Sequence, residues 1–288
     1  MQIAVIGDVG GHREALHAEL VRLGMNPDSF EFPDGLTVVQ VGDLIHKGPD
    51  SDGVVAMVDE LMKVNGSRWV QLLGNHESLH VTTPTFGWNE TLSDETILTL
   101  QRWWADGSMQ LAASFDVEGV EVRRPGGVRD VIGAGGVLVT HAGLTHGCWK
   151  MLGSASDVHA VAAQINNEGY NTSSCVWNTG RMLEGGVNSR AGVVWAEAGV
   201  ELVQGWLESE ESPGFHQVHG HSTMYWWHNT RWVPAGLGRS LGDRVKLDPL
   251  KRHSRAELHG QVVWGVDPAH SRDVAPSWEA LTLSSAAR

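Results

Sequence analysis

The sequence predicts an α/β protein built from repeated strand–helix units around a parallel sheet. Three short runs rich in Val, Ile and Leu each end in a cluster of polar residues, and a stretch with helical spacing of apolar residues comes after it. Strands that alternate with helices in this way are typical of βαβ units. Ligands of such sheets bind beyond the carboxyl ends of the strands, so we expect the functional groups there.

The apolar patterns define the predicted elements in chain order. The first strands are expected at residues 2–6, 36–41 and 69–73, and the helices that follow them at residues 13–23, 51–64 and 93–107. Later strands are expected at residues 135–140, 192–195, 215–219, 262–266 and 280–283, and a long helix at residues 152–170.

The remaining segments predict connections. Residues 171–190 are rich in Gly, Asn and Ser, which favours an irregular cap or loop, and the polar residues 239–257 indicate a mobile segment. No change of composition marks a boundary, so we expect one domain over residues 1–284. Residues 285–288 are expected to form a frayed tail.

Composition excludes several classes of function. Lys plus Arg number 21 and Asp plus Glu number 34, and the resulting net charge of −13 argues against a protein that binds duplex nucleic acid. No window approaches the length of apolar residues that a membrane span needs, and the first residues indicate a buried strand rather than a signal peptide. With only two cysteines, the chain has no disulfide scaffold, so a cytoplasmic location is expected.

Potential metal ligands follow five of the predicted strands. A lone Gly-Asp after a strand is usually a turn or a helix cap, and a lone His there is usually an ordinary polar residue. Five such coincidences in one chain favour a metal site, because carboxylate, amide and imidazole donors would converge from different strands. The residues are Asp8, Asp43, Asn75 with His76, His141, and His219 with His221.

The motifs around these residues resemble one family. The ordered motifs GDVGGH, GDLIHKGPDS, LLGNHE, VTHAGLT and VHGHST are similar to the calcineurin-like metallophosphoesterase superfamily, and within it to the phosphoprotein phosphatase branch. GDLIHKGPDS resembles the symmetrical diadenosine tetraphosphatases. The resemblance runs from residue 3 to about residue 283. It implies a two-sheet α/β sandwich flanked by helices, with a metal centre at one rim.

The resemblance also implies roles for the residues and a cofactor. Asp8 resembles a ligand of the first metal ion, and Asp43 the carboxylate that bridges two ions. Two divalent ions are implied, with Mn²⁺ expected first and Fe, Zn, Mg or Ni as alternatives. The second-ion ligands are Asn75, His141 and His221. His76 resembles the group that protonates the leaving oxygen after a metal-bound hydroxide attacks phosphorus.

The chain departs from the family pattern at two points. Gly10 stands where the resemblance implies a metal-binding His, and the alternatives are that His12 or His219 replaces that ligand, that water fills its place, or that the first metal site is weakened. His46 and Lys47 stand where protein Ser/Thr phosphatases carry Asp and Arg. Lys47 is expected to neutralise phosphate as a point charge.

Three functions remain open from the sequence. The first is a binuclear phosphoesterase that hydrolyses phosphate esters or anhydrides, with Arg190 as a further contact to phosphate. The second is a Ser/Thr-type protein phosphatase, and the third is a non-catalytic protein that binds phosphate or nucleotides. The expected substrates are a phosphorylated small molecule, a dinucleoside polyphosphate or a phosphoprotein, with no membrane as a partner.

Overall fold

The computed structural model describes residues 1–118, 120–123, 129–132, 135–271 and 275–284. Its strands are β1 Gln2–Ile6, β2 Leu36–Gln40, β3 Trp69–Leu72, β4 Met109–Gln110, β5 Ala112–Val117, β6 Val120–Arg123, β7 Arg129–Ile132, β8 Gly135–Thr140, β9 His216–His219, β10 Tyr225–Trp226, β11 Arg231–Trp232, β12 Val245–Asp248, β13 His253–Leu258, β14 Gln261–Gly265 and β15 Leu281–Ser284. Its α-helices are α1 Arg13–Arg22, α2 Ser51–Asn65, α3 Asn75–Val81, α4 Asp94–Ala105, α5 His146–Met151, α6 Val158–Glu168, α7 Arg181–Glu184, α8 Gln204–Ser209 and α9 Leu237–Leu241.

Two sheets form the centre of the described chain. The first has the order β15-β1-β2-β3-β4, in which β1 to β4 run parallel and β15 pairs antiparallel with β1. The second has the order β12-β13-β14-β9-β8-β5, with β14, β9 and β8 parallel. Both therefore contain parallel strands whose carboxyl ends can share one rim.

The two sheets pack face to face through an apolar layer. Alternate residues of β1 separate cleanly, because Ile3 and Val5 join the layer between the sheets while Ala4 and Ile6 face the helices. Valines of β8, β9 and β14 meet this layer from the other sheet. The α/β sandwich expected from the family resemblance is confirmed.

Helix α2 shows how the sequence fixes the outer layer. Its apolar residues Val54, Val58 and Leu61 recur at helical spacing and are fully buried. The side chain of Asp50 accepts the backbone N–H of Gly53 and caps the helix. Among the described residues, no helix is both long and apolar enough to cross a bilayer.

Three predicted elements were wrong. Residues 193–195 form a turn, not a strand, because Gly192 O accepts the N–H groups of Trp195 and Ala196. The expected helix at 152–170 is shorter, and begins at Val158 where Asp157 caps it. The polar segment 239–257 contains β12 and β13, which pair with each other.

The irregular region around 171–190 consists of turns with a 3₁₀ turn at Cys175–Trp177 and the one-turn helix α7. The expected tail at 285–288 lies outside the described residues.

Candidate metal centre

The predicted ligands follow strands of both sheets and meet at one rim. Asp8, Asp43 and Asn75 follow β1, β2 and β3, while His141 and His221 follow β8 and β9. Hydrogen bonds join the two groups, because the N–H of His221 donates to Asp8 Oδ1 at 2.8 Å. All five residues are buried.

The loops after β2 and β3 contact each other through glycines. A Cβ on Gly42 would lie 2.3 Å from the backbone nitrogen of Gly74, and one on Gly74 would lie 2.2 Å from the backbone nitrogen of Asp43. Gly42 also has a φ of +103°, which side chains rarely tolerate. The Gly-Asp and Gly-Asn sequences are therefore required for the two backbones to approach.

Glu77 holds these loops in place. Its Oε2 accepts the N–H groups of Asp43 and Gly74 at 2.8 and 2.9 Å. Its Oε1 accepts those of Leu44 and Ile45 at 2.8 and 3.3 Å. The side chain is fully buried, so its contribution here is to orient the backbone.

Asp43, His141 and His221 form a cluster in which one ligand atom of each lies within 4.8 Å of the others. Asn75 Oδ1 lies between the two imidazoles, 3.0 Å from His141 Nε2 and 2.9 Å from His221 Nδ1. His141 Nε2 is also 3.4 Å from Asp43 Oδ1. Among the described residues, these three Asp and His side chains are spaced closely enough to hold a metal ion.

The chemistry of this cluster fits a cation. The backbone oxygen of Val41 lies 3.0 Å from His141 Nδ1 and accepts its proton, so the Nε2 lone pair of the neutral ring points to the cluster. Burial lowers the pKa of His141 and of His221, which keeps both rings neutral. Acceptor atoms of Asp43, Asn75 and His141 thus face one another without a proton between them, and a divalent ion would relieve their repulsion.

Asp8 and Lys47 lie beside the cluster. The Lys47 ammonium is 3.5 Å from Asp43 Oδ2 and 3.9 Å from Asp8 Oδ2. Burial would raise the pKa of Asp43, but its imidazole neighbours and Lys47 hold that pKa well below the usual value. Burial and the charges of Asp267 and Asp43 raise the pKa of Asp8.

Two predicted residues lie elsewhere. His12 Nε2 is 2.8 Å from the backbone oxygen of Ser271, and its ring packs against His270, so the structure does not bring it into the cluster. Arg190 is exposed, and its backbone groups bond to Asn178 and Asn188. His219, the other candidate ligand, is buried and its Nδ1 lies 2.9 Å from Gly220 O.

His76 pairs with another imidazole. Its Nδ1 lies 2.6 Å from Nδ1 of His46, and its Nε2 lies 3.8 Å from Asp43 Oδ2. Burial lowers the pKa of His76 to about 4 and that of His46 to about 3, so both rings are neutral at neutral pH. His46 therefore occupies the position beside His76 that the sequence comparison assigns to an Asp.

A cleft of about 900 Å³ opens beside the cluster. Trp88 lines it, stacks on His46 with ring centroids 5.5 Å apart and is 44% exposed. The other lining residues are Lys47, Gly48, Pro49, Gly87, Asn89, Glu90 and His270.

Sequence reasoning missed Trp88, Asp267 and His270. Asp267 is buried, and the charge of Lys47 acts on its carboxylate. The sequence GVDPAHS contains an Asp and a His that could bind a ligand. Their proximity to Asp8 is a tertiary contact, which the local sequence does not predict. Trp88 follows no strand and belongs to no ligand motif, so the local sequence around it does not predict that it lines a cleft.

These features agree with a family comparison. The sequence profile of the calcineurin-like phosphoesterases matches residues 1–254, and the chain belongs to this family of phosphoesterase hydrolases.

One curated relative is an asymmetrical bis(5'-nucleosyl)-tetraphosphatase (PrpE) of Halalkalibacterium halodurans. It is 36% identical over 78 residues, which cover 26% of this chain and 31% of the relative. The match thus spans about a third of the relative's length.

Solved structures of cold-active protein tyrosine phosphatases are also similar. One has a TM-score of 0.50 at 14% identity and covers 93% of this chain and 70% of its own. Another, from a psychrophilic Shewanella, has a TM-score of 0.45 at 14% identity, with coverages of 91% and 79%. The first of these supports the α/β fold alone.

Proposed function

We propose that the chain is a metal-dependent phosphoesterase whose ion binds at Asp43, Asn75, His141 and His221. The single observation that carries this proposal is that acceptor atoms of Asp43, Asn75 and His141 are buried and face one another with no proton between them. When bound, the ion supplies a Lewis acid for the phosphoryl group and for water. The family resemblance favours Mn²⁺. Fe, Zn, Mg and Ni are the alternatives, because each of them binds some of the carboxylate, amide and imidazole donors present here.

The side chains around the cluster have separate tasks. Lys47 offers a positive charge to a phosphoryl oxygen. His76 Nε2 is near Asp43, and an anionic phosphoryl group beside it would favour the protonated ring. This imidazolium would give its proton to the departing oxygen and return to the neutral ring, which makes His76 the general acid of the proposal. Arg190 is exposed, so any contact with phosphate would be at the outer edge of a substrate.

Two ions, as predicted from the sequence, would need a second set of donors around Asp8. Among the described residues, Asp8 belongs to no group of three closely spaced donors, so the binuclear form remains a prediction. The cytoplasmic location is likewise a prediction.

A nucleotide substrate is favoured by one observation. The exposed face of Trp88 lies in the cleft beside Lys47, where a base can stack while its phosphate reaches the ammonium. A Ser/Thr-type protein phosphatase is less favoured because His46 and Lys47 replace the Asp and Arg of that class. Diadenosine tetraphosphate, a phosphopeptide and small monoesters assayed side by side distinguish these substrates.

The proposal predicts Mn²⁺-dependent hydrolysis of p-nitrophenyl phosphate that a chelator removes. Asp43→Asn should lower kcat/KM by about 100-fold or more, because the ion loses a charged ligand. Asp116→Asn changes an exposed carboxylate paired with His159 and is the matched control. Full activity of purified, folded Asp43→Asn protein, or binding of substrate without turnover by the intact chain, would reject the enzyme.

A further inference from the structure

The stem of Lys47 lies next to Gly10. Gly10 has a φ of +52°, and a Cβ placed on it would lie 3.5 Å from Lys47 Cδ and 3.6 Å from Lys47 Cβ. The family pattern has a metal-binding His at this position. A Cβ at Gly10 would thus be in van der Waals contact with the Lys47 methylenes, so the Lys47 stem lies next to the position from which that His would extend.

The ammonium of Lys47 lies between the two carboxylates that the first ion would join. Its distances are 3.9 Å to Asp8 Oδ2 and 3.5 Å to Asp43 Oδ2. Asp8 Oδ2 is buried and receives no hydrogen bond from the described residues, and the Lys47 ammonium is the cation within 4 Å of it. The side chain is only 27% exposed, so this charge is largely withdrawn from water.

The remaining donors of a first ion are not in place. His12 Nε2 is directed to the backbone oxygen of Ser271. Asp8 belongs to no group of three closely spaced donors within the described ranges, whereas Asp43 does. The residues present therefore fit one ion at the Asp43 cluster and do not fit a second ion beside Asp8.

We propose that the Lys47 ammonium takes the place of the first ion, so that the chain holds one divalent ion and one fixed lysine charge. This inference rests on the proposed function, since it concerns the same phosphate site. A buried ammonium between carboxylates repels a divalent cation and satisfies part of their charge. The phosphoryl group would then meet the ion on one side and Lys47 on the other.

The composition of the purified protein tests this inference without an activity assay. Wild-type chain is loaded with Mn²⁺, passed through gel filtration in metal-free buffer and analysed for manganese per chain. Electron paramagnetic resonance of the same sample distinguishes isolated Mn²⁺ from an exchange-coupled pair. We expect one ion per chain and the spectrum of isolated Mn²⁺.

Variants of Lys47 show whether the ammonium excludes the second ion. Lys47→Met keeps an unbranched stem without the charge and should double the manganese content, whereas Lys47→Arg keeps the charge and should leave it unchanged. Lys63→Met removes an exposed lysine paired with Asp59 and is the control.

The possible results separate the inference from the function on which it rests. Two coupled ions in wild-type protein overturn the inference and leave the metal-dependent phosphoesterase intact. Unchanged content in folded Lys47→Met, checked by circular dichroism, also overturns it. No retained manganese in any form rejects both proposals. If Lys47→Met does not fold, the wild-type count and spectrum still decide.

Discussion

The side chain at position 46 determines which nitrogen of His76 carries a proton. Across the 2.6 Å between the two Nδ1 atoms, one ring must donate and the other must accept. When His46 donates, neutral His76 keeps its own proton on Nε2, the atom that lies toward Asp43. A carboxylate at position 46 would instead stabilise the doubly protonated imidazolium of His76.

Substitutions of His46 should therefore change the activity in two different ways. His46→Ala removes the partner of His76 and should lower kcat by about tenfold, because an unoriented acid transfers its proton less often in the correct geometry. His46→Asp should raise the pKa of His76 and extend activity to higher pH. The measurement is kcat against pH for both variants and wild type.

A purely structural role of His46 gives a different result. It would lower the melting temperature of both variants and leave the shape of the pH profile unchanged. Trp88→Phe, which keeps an aromatic ring over His46, is the control for loss of packing.

At the scale of single residues, the sequence predicted which side chains meet at the rim but not the contacts that they make there. Asp43, Asn75 and His141 each follow an apolar strand, so their position at the rim could be predicted. The pairing of His46 with His76 depends on backbone conformation, because His46 has a φ of +71° in the loop after β2. No local pattern predicts that conformation for a histidine.

At the scale of elements, the start of α3 is tied to the loop after β2 by hydrogen bonds. Its first residues, Asn75 and His76, face the metal cluster, and Glu77 bonds back to the loop after β2. Helix α3 and that loop are therefore coupled through one side chain. A substitution at Glu77 is therefore expected to affect the positions of both Asp43 and Asn75.

Glu77→Gln should destabilise the fold by about 2–4 kcal/mol. The amide nitrogen of Gln would replace one carboxylate oxygen, and the two backbone N–H groups that now donate to that oxygen would lose their buried acceptor: those of Asp43 and Gly74, or those of Leu44 and Ile45. Urea unfolding followed by circular dichroism measures the loss. Glu60→Gln on the exposed side of α2 is the matched control and should change stability by less than about 0.5 kcal/mol.

The wrong elements share a physical cause. The apolar residues of 193–195 are buried, and apolarity predicts burial rather than strand pairing. Strands β12 and β13 form an antiparallel pair in which β12 is the edge strand of the second sheet, and their sequences are too polar to predict strands from apolarity. In both cases backbone hydrogen bonds, rather than the apolar pattern, decided the structure.

At the scale of the whole molecule, the apolar layer between the sheets brings distant loops to one rim. Strands β1, β2 and β3 contribute to one side of it and β8, β9 and β14 to the other. The prediction that residues 1–284 form one domain is in keeping with this layer and stays a prediction. What the sequence could not provide is the register between the sheets, which sets the distances around Asp43.

The second sheet also contains a buried neutral histidine that makes stability depend on pH. His216 on β9 is 2% exposed, and its Nδ1 accepts the N–H of Val262 on β14 at 3.0 Å. Burial and the nearby charge of Arg255 lower its pKa from 6.5 to about 4. Below pH about 6.5 the unfolded chain binds a proton here that the folded chain binds only near pH 4.

His216 should therefore make the free energy of unfolding fall as the pH decreases from about 6.5 to about 4, by about 3 kcal/mol. The sign follows because the unfolded state binds more protons in this range. His216→Asn keeps an acceptor for Val262 and removes the titration, so its unfolding curve should lose this part of the slope. Urea unfolding of metal-free wild-type and variant protein across this pH range makes the comparison, and a variant curve parallel to that of the wild type contradicts the prediction. A constant offset between two such curves would report only the smaller volume of Asn, since a packing loss does not depend on proton binding.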